Sequence, residues 1–413
     1  MVYGDQAYGP FGLDAGRGRT FRCERTVLAV VHTVTSGTRL ADVVPLVESD
    51  RRVQVVFTWA PSSMMSAGVR EFLDRLGGAT VSWDQATNTQ FDLAVAAWDG
   101  LLERLHAPVL TLSHGVGAGK FMRRWDGFGP EVAREMSAPD RARLIYRGRV
   151  IPSGIIVPTR RQLAQLRRSC PEAAEVAVLG GDPCFDRLLA SRPRREEYRN
   201  ALGTAGRQLV VVSSTWGPGS LLERCPGLVP RLLDELPADE YLVAVVIHPN
   251  AWYWHGPRQV CGWYAESVRR GLLLIPPEDG WRAALVAADV LIGDHGSVTC
   301  YGAAIGVPVL LASFPAEHVA PATPPAQLSR IAVRLRLDEA IAPQVHKVLA
   351  DWPARRAVAM RSEITDAAGQ SATIIRGEMY RLMRLATPDR ALEVSPVGLP
   401  RPVEIPESFG GIR

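Results

Sequence analysis

The sequence predicts an α/β protein built from two Rossmann-like, doubly wound domains that face each other across a cleft, with helices at the C-terminal end. Three observations carry this expectation. Short runs rich in Val, Ile and Leu alternate with amphipathic stretches, the pattern of parallel strands joined by crossover helices. The 413 residues are 47% hydrophobic, enough for two cores of ordinary size. Three apolar runs end on histidine: APVLTLS meets His114, YLVAVVI meets His248, and DVLIG meets Asp294-His295. Ligands of open parallel sheets bind just outside the carboxyl ends of the strands. Three imidazoles at three such ends therefore point to one crevice.

Taken in order, residues 1–22 are rich in glycine and polar side chains and read as an extension. The first domain, 23–195, has β-branched runs at 26–31, 53–58, 91–97, 109–113, 155–158 and 176–179, with helical patterns at 39–48, 66–76 and 160–168. TSGT at 35–38 reads as a turn able to approach a ligand. Charged residues ending in LGTAG mark a linker at 196–206. The second domain, 207–365, has strands at 209–213, 241–247, 272–275, 290–292 and 307–311 and a short helix at 281–287. AWYWHGPRQVCGWY, at 251–264, reads as a loop packing its own rings; stacking on a base or sugar and contact with a membrane surface are the alternatives. A Pro-rich loop at 315–325 precedes helices at 338–351 and 367–385, the second within a closing segment at 366–387. Residues 388–413 read as an irregular tail.

Composition narrows the function. No apolar run approaches the roughly 18 residues needed to cross a bilayer, and the N-terminus lacks a basic start followed by an apolar stretch. The six scattered cysteines form no CxxC pair, which argues against a disulfide framework and a zinc site and fits a reducing cytoplasm. A net charge of +4 is too mild to predict nucleic acid. Arginine clusters at 141–149, 160–168 and 192–199 read as solvated faces, with peripheral contact at the inner membrane face as the minority reading.

Residues 280–312 are the most informative stretch. A buried strand runs into a tight turn at 293–296, Ser297 caps a helix through 304, Gly306 suits the left-handed position after it, and Pro308 stops continuation. Amides at a helix start lack internal partners and carry partial positive charge, so Gly296, Ser297 and Val298 are candidate binders of a phosphate or diphosphate. An ordinary strand-turn-helix corner is the alternative.

This segment resembles the donor-side motif of the CDP-glycerol glycerophosphotransferases, a family of GT-B fold. Asp294, Ser297, Gly306 and Pro308 fall on the family's strand, Asp-containing turn, helix and Gly-x-Pro frame. His114-Gly115 followed by Lys120 resembles its His-Gly loop, and Gly181-Asp182-Pro183 through Asp186 its Gly-x-Pro-x-x-Asp stretch. Ser214-Thr215-Trp216 and His248-Pro249 resemble its Pro-Thr-Trp and late histidine. The chain departs from the pattern where Leu112-Ser113 replace an aromatic before the histidine and where the turn reads Asp-His-Gly-Ser. The resemblance implies transfer from a cytidine diphosphate donor to a hydroxyl acceptor.

That chemistry needs a base for the incoming proton and positive charge for the departing phosphate. His114 is the expected base, while His248 and the start of the helix after Gly296 hold the donor phosphates. His295 either bonds a phosphate or fixes the turn with Asp294; Asp294 takes a ribose hydroxyl, orients His295 or caps backbone amides. Lys120, with Arg123 and Gly115, is expected at the acceptor or the developing charge. No Asp-x-Asp pair occurs, so no metal and no cofactor is expected, the nucleotide donor being substrate. The competing readings are a nucleotide-sugar epimerase or hydrolase of the UDP-GlcNAc 2-epimerase type and a GT-B protein that binds nucleotide without turnover.

Overall fold

A computed structural model of the chain describes residues 9–11, 16, 18, 20–117, 121–123, 134–136 and 141–406, with backbone alone at 121–123 and 134–136. The chain divides into two units. The first comprises Met1–Gly115, Pro139–Asp186 and Thr365–Val394; the second comprises Val116–Ala138, Arg187–Ile364 and Ser395–Arg413.

The first unit carries a seven-stranded parallel sheet. Its strands in chain order are Arg25–Val31, Val53–Trp59, Thr80–Val81, Leu93–Ala96, Val109–Leu112, Gly154–Val157 and Ala177–Leu179, and they lie in the spatial order third, second, first, fourth, fifth, sixth, seventh. Both faces of such a sheet are covered, so the strands read as continuous apolar runs: Val27 to Val31 and Leu93 to Ala96 are wholly buried. The order reverses between the first and fourth strands. This topological switch point, where ligands of open α/β sheets bind, is bounded by His32 and Ala97 at the strand ends.

The first helix, Val34–Val43, begins ahead of the expected 39. Thr33 and Ser36 form a capping box: the Thr33 hydroxyl accepts from the Ser36 amide (3.1 Å) and Ser36 Oγ accepts from the Thr33 amide (3.0 Å). TSGT is therefore the first turn of this helix rather than a loop. Gly37 is required there, because a Cβ would lie 2.3 Å from the Phe72 ring of the helix Val69–Leu76. The helix Ser371–Met383, far away in sequence, belongs to this unit, and Asp186 fixes its start by accepting from the Gly369 and Ser371 amides (2.6 and 2.8 Å).

The second unit carries a six-stranded parallel sheet: Gln208–Ser214, Tyr241–Ile247, Leu273–Ile275, Val290–Gly293, Val309–Leu311 and Val333–Arg334, in the order third, second, first, fourth, fifth, sixth. Its switch point falls between the first and fourth strands, at Thr215 and Asp294. Strand residues such as Val210, Val243 and Ile292 share one core with Leu232, Val260 and Val345, from the helices Leu228–Glu235, Pro257–Arg269 and Ile341–Ala350.

Three stretches differ from expectation. Within the charged stretch at 196–206, Arg195–Ala201 is helical, and Arg195 and Arg199 grip Asp289 (2.6 and 2.7 Å) just before the fourth strand. The aromatic stretch at 251–264 is two helices, Pro249–His255 and Pro257–Arg269, broken at Gly256 with φ 84°. Trp252 is buried there, while Trp254 and Trp263 are exposed. Two further helices, Pro324–Ile331 and Ala354–Ile364, lie between the Pro-rich loop and the last helix. Among the described residues no helix is long and apolar enough to cross a membrane.

Candidate functional site

The predicted site residues fall into two clusters, each at the carboxyl end of one sheet. Asp294, His295, Gly296, Ser297, Val298 and His248 belong to the second unit, and His114 and Gly115 to the first. Lys120 lies outside the described residues, as does the side chain of Arg123.

In the second unit the strand Val290–Gly293 enters the turn through Gly293, where a Cβ would lie 2.4 Å from Thr299 Oγ1; only glycine lets the helix fold back so tightly. Asp294 is wholly buried and organises the turn. One carboxylate oxygen accepts from the Thr215 and Leu221 amides (2.8 and 2.9 Å), the other from the Gly296 amide (2.9 Å). Of the three roles open to it from sequence, its bonds are those of a cap for backbone amides. His295 is buried with its ring edge-on to Phe314, 6.5 Å between centroids.

Gly296, not Ser297, is the N-cap of the helix Ser297–Ile305, which corrects the expected capping role of Ser297. The reason is local: the Asp294 carboxylate takes the Gly296 amide and sets its extended φ and ψ (−73°, 160°), so the helix opens one residue later. Among the described residues no side chain caps this helix. Gly296, Ser297 and Val298 are half-buried, between the buried Asp294-His295 and the buried Thr299-Cys300. The uncapped amides thus sit where the turn reaches the surface, and the macrodipole of the helix favours an anion there.

His248 follows the strand Tyr241–Ile247, next to the first strand of this sheet. It caps the helix Pro249–His255 by accepting from the Asn250 amide at Nδ1 (3.0 Å). A neutral ring that accepts at Nδ1 carries its proton on Nε2, which is then a hydrogen-bond donor. The Trp216 ring lies 6.2 Å away.

In the first unit His114 stands just past the strand Val109–Leu112. Burial pushes its pKa down to about 4, with the positive charge of Arg39 acting the same way and a hydrogen bond to the Ala97 carbonyl opposing. Its ring lies 5.0 Å from the Trp98 ring at 49°. The aromatic residue that the resemblance places directly before the histidine is absent from this sequence, yet an aromatic ring meets His114 from the end of the neighbouring strand. Arg39 is itself buried and held by Asp182 (2.8 and 3.4 Å); Asp182 also accepts from the Phe185 amide (2.9 Å). His32, wholly buried, bonds the Gly100 carbonyl through Nε2 (2.8 Å), and burial pushes its pKa down to about 4.

His32 and Trp98 went unnoticed in the sequence, although the signal was present. VLAVV runs into His32 and LAVAA into Trp98, the same strand-end pattern that singled out His114.

No protein-family model matches the chain, and no curated protein matches it in sequence. Solved structures do. A histidine-to-asparagine variant of the wall teichoic acid polymerase TagF soaked with CDPG superposes with a TM-score of 0.58 at 13% identity, over 88% of this chain and 89% of that one. An alanine variant of the same polymerase gives 0.57 at 13% identity, over 88% and 90%. The UDP complex of MnaA from S. aureus gives 0.51 at 14% identity, over 89% and 99%. These likenesses establish the fold, a GT-B-type pair of Rossmann-like units.

Proposed function

We propose that the chain is a transferase that moves a glycerophosphate or glycosyl group from a nucleotide diphosphate donor to a hydroxyl acceptor, with no metal and with His114 as general base. One observation carries the reading: the helix start at Ser297 and Val298, without a side-chain cap and half-buried at the switch point of the second sheet. An anion is the natural partner of such a site. CDPG and UDP, the nucleotides of the similar TagF and MnaA structures, supply that anion as a diphosphate.

The division of labour follows from the two clusters. The Ser297 and Val298 amides and the Nε2–H of His248 stabilise negative charge as the donor phosphate departs, which a rigid turn does without reorganising. His114, kept neutral at physiological pH by burial and by Arg39, is in the protonation state that accepts the acceptor's proton. Lys120, Arg123 and Gly115 follow His114 and serve the acceptor or the charge that develops on it. The reading places the reaction in the cytoplasm, with peripheral contact at the inner membrane face.

Isothermal titration with CDP, UDP, GDP and ADP tests the reading. At least one should bind, and Ser297→Glu, which sets a like charge at the helix start, should weaken it by tenfold or more. Failure of all four to bind, or an unchanged affinity in the variant, would overturn it.

A further inference from the structure

The shelf beside His114 has a chemistry of its own. Trp98 follows the fourth strand of the first sheet and is half-buried. Its ring and that of His114 are 5.0 Å apart and inclined at 49°, so they open as a wedge. The Gly100 carbonyl, two residues on from Trp98, is held by His32 (2.8 Å). The Arg143 guanidinium lies 6.0 Å from the Trp98 ring centroid and is tethered to the Asp99 carboxylate (3.5 Å), which is 22% exposed.

An aromatic ring with a carboxylate and a guanidinium beside it matches a sugar, whose C–H face packs on aromatic rings and whose hydroxyls take polar partners. Glycerol has no face to match the indole. Among the described residues, the cations here, Arg39 and Arg143, are each paired with a carboxylate, Asp182 and Asp99.

We propose, resting on the transfer reading above, that the acceptor is a pyranoside whose ring lies on Trp98 and whose hydroxyl meets His114. In the neutral imidazole one nitrogen carries a proton. The other nitrogen takes the hydroxyl proton as the oxygen bonds to the donor's electrophilic centre and the nucleotide phosphate leaves with the bonding pair.

The test is binding to the full chain, followed by saturation-transfer NMR and calorimetry. The probes are the methyl pyranosides of glucose, galactose, mannose and N-acetylglucosamine, with glycerol and glycerol 3-phosphate as controls. At least one pyranoside should bind tenfold more tightly than either control. Trp98→Leu should lose that binding by tenfold or more, and Trp98→Tyr should keep it within threefold. Absence of pyranoside binding, a preference for glycerol 3-phosphate, or wild-type affinity in Trp98→Leu would overturn the proposal. Should Trp98→Leu fail to fold, Asp99→Asn takes its place: weaker pyranoside binding supports the shelf, and unchanged binding overturns it. Pyranoside binding in a chain that binds no nucleotide would sink the transfer reading and leave the shelf standing. Nucleotide binding without pyranoside binding would sink the shelf alone.

Discussion

Asp294 and His114 show how one pattern, a polar residue at the end of an apolar strand, leads to different work. Both oxygens of Asp294 are committed to the amides of Thr215, Leu221 and Gly296, so it builds the turn that presents its neighbours. The likeness of residues 181–186 to a family motif resolves the same way. Asp182 pairs with Arg39, and Asp186 caps the last helix. Residue type and strand-end position were legible in the sequence. Which amides a carboxylate meets was not, because Leu221 and Gly369 come from other elements. Burial lowers both His32 and His114 to about 4, against an ordinary value near 6.5. The folded state resists protonating them, so their contribution to stability is complete above pH 6.5 and is lost as pH falls toward 4. The loss is about 1.4 kcal/mol per pH unit for each group in that window. Urea unfolding of wild type and His32→Gln at several pH values between 7 and 4.5 should show the smaller pH slope in the variant; equal slopes would refute the assignment.

Among elements, the strands were the more legible. Their apolar runs are long because parallel sheets are covered on both faces, as at Tyr241–Ile247. Edge strands of two residues, Thr80–Val81 and Val333–Arg334, are too short for any pattern. Helix starts were less legible because caps and close packing set them. The Thr33–Ser36 box starts the first helix ahead of its amphipathic pattern, and position 37 is glycine within that helix because Phe72 leaves no room for a side chain. At Gly293 the same logic reaches the site. A methyl group would press on the stiff, β-branched Thr299, at a cost of about 1–3 kcal/mol. Gly293→Ala should therefore lower stability and weaken nucleotide binding, and adding Thr299→Ala should restore much of both. A double variant as impaired as the single one would mean that the contact is not what the turn depends on.

At the scale of the whole molecule, alternating strand and helix signals were enough to read two doubly wound halves, and each sheet has the third, second, first, fourth order; the second sheet's switch point falls at the predicted Asp294, the first sheet's at His32 and Ala97, one strand over from the predicted His114. The path of the chain was harder to read. The helix Ser371–Met383 belongs to the first unit through Asp186, and Ser395–Arg413 to the second. Such returns depend on contacts between distant residues, which local pattern does not encode. The fold is shared with structures only 13–14% identical to this chain, so the chemistry rests on the two strand-end clusters. The most direct measurement follows CDP-glycerol and UDP-sugar donors by 31P NMR, with methyl pyranoside and glycerol acceptors, in wild type and His114→Asn. The account predicts release of nucleoside diphosphate that depends on acceptor in wild type, and a fall of a hundredfold or more in His114→Asn with nucleotide affinity unchanged. Release at the wild-type rate in His114→Asn, or conversion of the donor without any acceptor, would contradict it.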